Sequence, residues 1–224
     1  MSHVNRIVAI DGPSGSGKST IARGVGDALG LEMLDTGAMY RAVAYGAIAA
    51  GVDASDADAV AAIARDATIS VSGGITTFGG DDVSAAIRGP EVTALVSAVA
   101  AHPAVRVELV ARQRAWMAEH NGGVVEGRDI GSVVFPDARV KVFLTASDEE
   151  RARRRHRDEA AAQRDVSVEA LQVAMAQRDA ADSNRSASPL RTADGATIVD
   201  TTGRTPEEIV AEIVEAFRSA EGAH

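Results

Sequence analysis

The chain lacks cysteine entirely. Disulfides, thiolate metal sites and a cysteine nucleophile are therefore excluded. It lacks an excess of basic charge: 32 Asp and Glu stand against 23 Lys and Arg, a formal net charge of -9, which argues against a general nucleic-acid binder. No apolar run approaches the length of a membrane span, and no basic-then-apolar leader opens the chain. A soluble cytoplasmic protein with no membrane or nucleic-acid partner is expected. Internal repeats and low-complexity linkers are also missing. What remains is a chain of 224 residues with 46% hydrophobic content, enough for one α/β domain with small insertions.

The stretch Gly12-Pro13-Ser14-Gly15-Ser16-Gly17-Lys18-Ser19-Thr20 organises the rest. It follows the apolar run Ile7–Ile10, which reads as a buried strand, and precedes a helical pattern from Ile21 to about Gly30. Strand, glycine loop, Lys-Ser and helix form a phosphate-binding P-loop. The glycines let successive N–H groups converge on one anion, and the helix N-terminus adds partial positive charge there. Lys18 would reach the β- and γ-phosphates of a nucleoside triphosphate, and the Ser19 hydroxyl would bind Mg²⁺.

Further along, residues 31–35 fit a second strand and 36–51 a helix. Ser55 is the expected N-cap of another helix. Residues 68–72 and 75–78 flank Gly73-Gly74 as a hairpin. A turn over 79–82 leads to a third short strand at 83–84, so a small antiparallel sheet interrupts the βα rhythm. Helices are expected over 87–101, 103–119, 167–181 and 206–218. Strands are expected over 124–126, 140–144 and 196–200. Ser147 to Glu150 cap a very basic helix. Five apolar strands separated by helices imply a parallel, doubly wound sheet.

A P-loop alone serves GTPases, ATPase motors and small-molecule kinases. A guanine-reading N-K-x-D segment is absent, and motors are usually larger. The arginines favour transfer to a second small anion, because phosphoryl transfer between polyanions needs dispersed positive charge. Arg41 and Arg128, at the ends of apolar strands, are candidate ligand contacts, whereas Arg6, Arg23, Arg65 and Arg218 read as solvated charges. Arg106 and Arg112 share one helix; Arg178, Asp182 and Arg185 share a helical face. Glu126 ends an apolar strand and either holds the water shell of Mg²⁺ or pairs with an arginine. Arg151, Arg153, Arg154, Arg155 and Arg157 crowd about two turns. They fit an ATP-covering lid, a solvated face paired with neighbouring acids, or both in turn.

The blocks Ile10–Lys18, Leu34–Arg41, Glu126–Gly131 and Val133–Ala138, the basic helix at 151–157, and Asn184-Arg185 with Pro189-Leu190 together resemble the bacterial cytidylate kinases, within the P-loop nucleoside monophosphate kinases. The resemblance spans nearly the whole chain in the family's order. It implies the reaction ATP + CMP (or dCMP) ⇌ ADP + CDP (or dCDP) with Mg²⁺, and a P-loop kinase fold with a five-stranded parallel sheet, an antiparallel-sheet insertion and a helical lid. The implied partition is a core of 1–35, 103–147 and 167–224, a monophosphate-binding lobe of about 36–102, and a lid of about 148–166, acting as a monomer.

By the same resemblance Lys18, Arg41, Arg128 and Arg185 are the catalytic cations. Gly12, Pro13, Ser14, Gly15, Ser16, Gly17, Lys18, Ser19 and Thr20 hold ATP, with Arg151 and Arg154 from the lid. Arg41 and Arg128 clamp the acceptor phosphate beside Thr36. Ser97, Arg106 and Asp129 read cytosine, Arg178 and Asp182 contact the ribose, and Arg185 lies near the phosphates. Mg²⁺ falls to Ser19, with Glu126 acting through water. Position 19 is Ser where many relatives have Gly or Thr, and position 36 is Thr where Ser also occurs; each keeps a hydroxyl. The alternative is a P-loop kinase for another nucleoside monophosphate such as UMP, and a more distant one is a nucleotide-gated binding protein without transfer activity.

Overall fold

A computed structural model describes residues 6–185 and 187–222. In chain order the elements are β1 (Ile7–Asp11), α1 (Lys18–Leu29), β2 (Met33–Asp35), α2 (Thr36–Ala49), α3 (Ala57–Asp66), β3 (Ile69–Ser72), β4 (Ile75–Phe78) and β5 (Asp81–Asp82). They continue with a 3₁₀ turn (Ala86–Arg88), α4 (Pro90–Ala101), α5 (Pro103–Glu119), β6 (Gly123–Gly127), a π-turn (Ile130–Val134), β7 (Val140–Thr145), α6 (Asp148–Ala161), α7 (Val168–Asn184), β8 (Thr197–Asp200) and α8 (Pro206–Gly222). One five-stranded sheet has the order β2-β6-β1-β7-β8, and a three-stranded sheet has the order β3-β4-β5. Among the described residues no single helix is long and apolar enough to cross a membrane.

The chain divides into two compact units, Met1–Glu32 with Gly123–His224, and Met33–Gly122. The first is built on the parallel pairs β1–β6, β1–β7 and β7–β8. β1 is central, which is why Val8, Ala9 and Ile10 read as an unbroken apolar run: all three are fully buried. The register sets Ile10 opposite Glu126 and Asp11 opposite Gly127. The C-terminal ends of β1 and β6 therefore deliver the P-loop and the Gly127–Gly131 segment side by side, as open α/β sheets do at their ligand-binding edge.

The second unit carries the antiparallel sheet. Gly73 and Gly74, both at positive φ, close the β3–β4 hairpin. The third strand lies at Asp81–Asp82, not at 83–84. Gly79 and Gly80 have φ of 63° and 97°, so the turn is only two residues long and pairing resumes at once, Asp81 opposite Phe78 and Asp82 opposite Thr77. The helix expected over 87–101 is divided: Gly89 caps and Pro90 opens α4, where a missing N–H costs nothing. The cap of α3 is Asp56, accepting from the Ala59 N–H, because the Ser55 hydroxyl bonds Asp53.

Gly46 of α2 packs under Phe78. A Cβ there would stand 2.4 Å from the ring's Cζ and 3.0 Å from Ile63 Cγ2, and the ring is already in edge contact with Tyr45. Overpacking of this kind costs about 1–3 kcal/mol, more than Val regains in helix propensity. Gly46→Val is expected to lower the melting temperature by about 5 °C; an unchanged melting curve would show that the ring moves aside freely.

Candidate active site

The phosphate loop grows out of β1. Gly12 has no room for a side chain, since a Cβ would lie 2.2 Å from the Leu144 carbonyl oxygen. Gly15 and Gly17 take φ of 75° and 91°, values that L side chains rarely adopt. Gly17 is thereby the left-handed N-cap from which α1 starts at Lys18. The loop is braced from within: the Ser16 hydroxyl (3.0 Å) and the Lys18 ammonium (2.8 Å) both donate to the Pro13 carbonyl.

Lys18 is only 7% exposed. Burial, and then the nearby Arg128 and Arg178 against the opposing charges of Glu126 and Asp11, push its ammonium down to about 7. A cation held this way gains when an anion arrives. The Ser19 hydroxyl, one residue on, donates to Glu126 Oε1. Among the described residues no three His, Asp or Glu gather as a metal cage. A hydroxyl beside one buried carboxylate does suit Mg²⁺, which keeps several waters and takes its remaining ligands from phosphates.

After β6 the chain turns through Arg128 and Asp129 into the π-turn, a feature the sequence did not announce. Asp11, at the end of β1, accepts the N–H groups of Ile130 (2.7 Å) and Gly131 (2.8 Å). Burial, with Asp129 adding, raises its carboxyl to about 6 against these two hydrogen bonds and Lys18. Two ion pairs join this segment to the end of α7. Arg128 Nε donates to Asp182 Oδ2 at 3.0 Å, and Arg185 Nη2 lies 3.7 Å from Asp129 Oδ1. The structure thus gathers Lys18, Glu126, Arg128, Asp129, Asp182 and Arg185, with Arg178 close enough to act on Lys18. Arg178 and Asp182 share α7 as expected. Arg185 does not: it is the extended residue just past the helix end, held by the Ser188 carbonyl.

The basic helix α6 begins as expected, with Ser147 accepting from the Glu150 N–H. All five of its arginines pair with acids: Arg151 with Asp148 and Asp179, Arg153 with Glu149, Arg154 and Arg157 with Glu150, and Arg155 with Glu159. Arg151 also donates to the Ser14 carbonyl at 2.9 Å, while Asp179 Oδ1 accepts the Ser14 N–H at 3.1 Å. Arg154 grips Thr201 through its hydroxyl and carbonyl, both at 2.8 Å, and the Thr201 hydroxyl donates to the Ser16 carbonyl at 3.2 Å. A cavity of about 510 Å³ opens beside the loop, lined by Gly15–Gly17, Arg154, Arg157, Thr201, Arg204 and Pro206 among others. Asp179, Thr201 and Arg204 are absent from the sequence expectations. Thr201, just past the carboxyl end of β8, was findable by the strand-end rule; an Asp within α7 carries no such signal.

In the Met33–Gly122 unit, Asp35 caps α2 by accepting from the Ala38 N–H at 2.9 Å, and Thr36 is buried at the first helical position. Arg41 is held by the Ile87 carbonyl (3.0 Å) and the Thr93 hydroxyl (2.9 Å). Arg106 is 5% exposed, its guanidinium carbon 5.8 Å from the centre of the Tyr40 ring. Ser97 is half-buried on α4. Arg112 is structural, donating to the carbonyls of Ala67 and Arg65. Arg6, Arg23, Arg65 and Arg218 are exposed, as expected.

Comparison with known proteins covers nearly the whole chain. Residues 8–219 match the family model described as cytidylate kinase. A cytidylate kinase from Geobacillus kaustophilus (strain HTA426) is 49% identical over 212 residues, covering 93% of this chain and 94% of that protein. One from Mycobacterium avium (strain 104) is 48% identical over 216 residues, 95% of each. A bifunctional pantoate ligase/cytidylate kinase from Synechococcus sp. (strain WH7803) is 48% identical over 95% of this chain and 44% of its own length. Among solved structures, an uncharacterized protein from Eubacterium ventriosum ATCC 27560 has a TM-score of 0.54 at 11% identity, covering 96% of this chain and 99% of the other. A gluconokinase from Sinorhizobium meliloti 1021 has 0.51 at 17%, covering 98% and 95%; at such identities the likeness shows the fold alone. A buried P-loop lysine ringed by arginines, in a chain nearly half identical to these relatives over nearly its full length, places the protein in the cytidylate kinase family.

Proposed function

We propose that the chain transfers the γ-phosphoryl group of ATP to CMP or dCMP, giving CDP or dCDP and ADP. The observation that carries this reading is the family match over residues 8–219. The chemistry agrees with it. An acceptor phosphate is already an anion at neutral pH, so no general base is needed, and catalysis reduces to positioning and charge neutralisation. The P-loop amides and Lys18 hold the donor phosphates, and Lys18, Arg128, Arg41 and Arg185 stabilise the charge in transit. Arg154, in the wall of the cavity beside the loop, and Arg151, which bonds the Ser14 carbonyl, serve ATP from the lid.

For the acceptor, the contacts are Thr36, Arg41, Ser97, Arg106, Arg128, Asp129, Arg178, Asp182 and Arg185. Asp129 accepts from the cytosine amine while Arg106 and Ser97 donate to the ring acceptors O2 and N3. Ser19 would hold Mg²⁺, with Glu126 acting through water, and the cation would neutralise the triphosphate. The protein works in the cytoplasm as a monomer.

An ADP-coupled assay with CMP, dCMP, UMP and AMP as acceptors tests the reading. CMP or dCMP is expected to exceed UMP and AMP by at least about 10-fold in kcat/KM, with all activity lost on chelation of Mg²⁺. A clear preference for UMP or AMP would make this a different monophosphate kinase. ATP binding without ADP formation for any acceptor would make it a binding protein.

A further inference from the structure

Asp11 is a buried carboxylate to which the phosphoryl-transfer chemistry gives no task. It is 2% exposed, and burying a carboxylate is costly unless its oxygens are satisfied. Both are: Oδ1 accepts from Ile130 and Oδ2 from Gly131, two consecutive backbone N–H groups. These are the residues directly after Arg128 and Asp129. The segment is tied on its other side too, because the Asp129 carbonyl accepts from Val133 (2.9 Å) and Val134 (3.2 Å). Gly131 has little freedom to shift, since a Cβ there would already meet Lys141 and Ala193 at 3.2–3.3 Å. At the other end Asp11 is fixed by β1 and by Gly12, which is pressed against the Leu144 carbonyl.

An acceptor with two equivalent oxygens is what this arrangement demands. Asn would turn an NH₂ toward one of the two N–H groups, leaving a buried donor facing a donor. A carboxylate therefore makes the strand that ends in the P-loop and the segment bearing Arg128 and Asp129 one rigid piece.

We propose that Asp11 is a positioning residue for the transfer reaction: through the Ile130 and Gly131 amides it sets Asp129 and Arg128 in register with the P-loop, and so contributes to cytosine selectivity. This rests on the reading of Asp129 as a cytosine contact. Displacement of a positioned group by about 1 Å costs up to about 100-fold in rate; the π-turn still holds one side here, so a smaller effect is expected.

The test is the CMP-to-UMP ratio of kcat/KM for wild type, Asp11→Asn, Asp129→Ala and the double variant, each with its melting curve and KM for ATP. Asp11→Asn is expected to narrow the ratio about 10-fold with KM for ATP changed by less than about 3-fold, and to have no further effect on the ratio once Asp129 is Ala. A lowered melting temperature with an unchanged ratio would make Asp11 purely structural and overturn the proposal. So would an effect that simply adds to that of Asp129→Ala. If Asp129→Ala itself leaves the ratio unchanged, the base-contact reading fails; if only Asp11→Asn does, the positioning role alone fails. Should Asp11→Asn not fold, Asp11→Ser, which keeps one acceptor, is measured in its place. Failure of both to fold would assign Asp11 to the fold and overturn the proposal.

Discussion

Lys18→Ala is expected to lower kcat by about 1,000-fold while the protein remains folded. The size follows from removing one preorganised cation from a site that works by charge stabilisation, which costs about two to three orders of magnitude. Retention of the fold follows from the state of the residue before ATP arrives. Its ammonium is buried and sits near Arg128 and Arg178, so its pKa is driven down to about 7 from 10.5. Folding therefore disfavours the charged form. Between about pH 7 and 10.5 the unfolded chain binds more protons than the folded one, so this lysine's penalty is full below pH 7 and is lifted as pH rises. Removing it near neutrality should leave stability equal or higher, as is common when a destabilised functional group is deleted. The same state predicts that ATP, by bringing anions to Lys18, raises its pKa and draws in a proton at pH 8. Calorimetric titrations in two buffers of different ionisation enthalpy measure that uptake, which should vanish in Lys18→Ala. Undiminished turnover would remove the P-loop lysine from the mechanism; a collapsed fold would show that the ammonium is structural.

The strand, glycine loop and helix around Lys18 were legible because each rests on a local rule: an apolar run, glycines at special φ and a 3.6-residue period. The β3–β4 hairpin was legible for the same reason. Errors arose where one local rule competed with another. Ser55 and Asp56 could both cap α3, and the choice turned on the Ser55 hydroxyl finding Asp53. Gly79-Gly80 could close a tight or a wide turn, and pairing at Asp81 decided it. In the Gly127–Gly131 block Arg128 was legible from its place at the end of an apolar strand, but the π-turn held by Asp11 was not, since neither composition nor period announces it. What no local pattern could give were partners distant in sequence. Asp179 meets Ser14 across 165 positions and Thr201 meets Ser16 across 185. Such contacts are set by the order of strands in the sheet, and only the folded chain displays them.

Asp129→Ala is expected to narrow the CMP-to-UMP ratio of kcat/KM about 100-fold, with KM for ATP changed by less than about 2-fold. A carboxylate accepts the two protons of the cytosine amine but meets a carbonyl in uracil, so the wrong base leaves two buried acceptors facing each other. A desolvated group left without a partner costs about 1–3 kcal/mol, and more where it is charged, which is about 5- to 160-fold or more in the ratio. Asp129 fits that task because it is 5% exposed and its backbone is clamped by the π-turn, so its main chain is held in place whichever base arrives. Its ion pair with Arg185 spans 3.7 Å with both side chains 6% exposed, so truncation also removes a charge partner from a buried arginine, and a loss of turnover common to both pyrimidines is expected beside the change in the ratio. The two outcomes separate cleanly. If CMP turnover falls further than UMP turnover, Asp129 reads the base. If both fall in proportion, the carboxylate serves the reaction by orienting Arg185, and cytosine recognition belongs to Ser97 and Arg106.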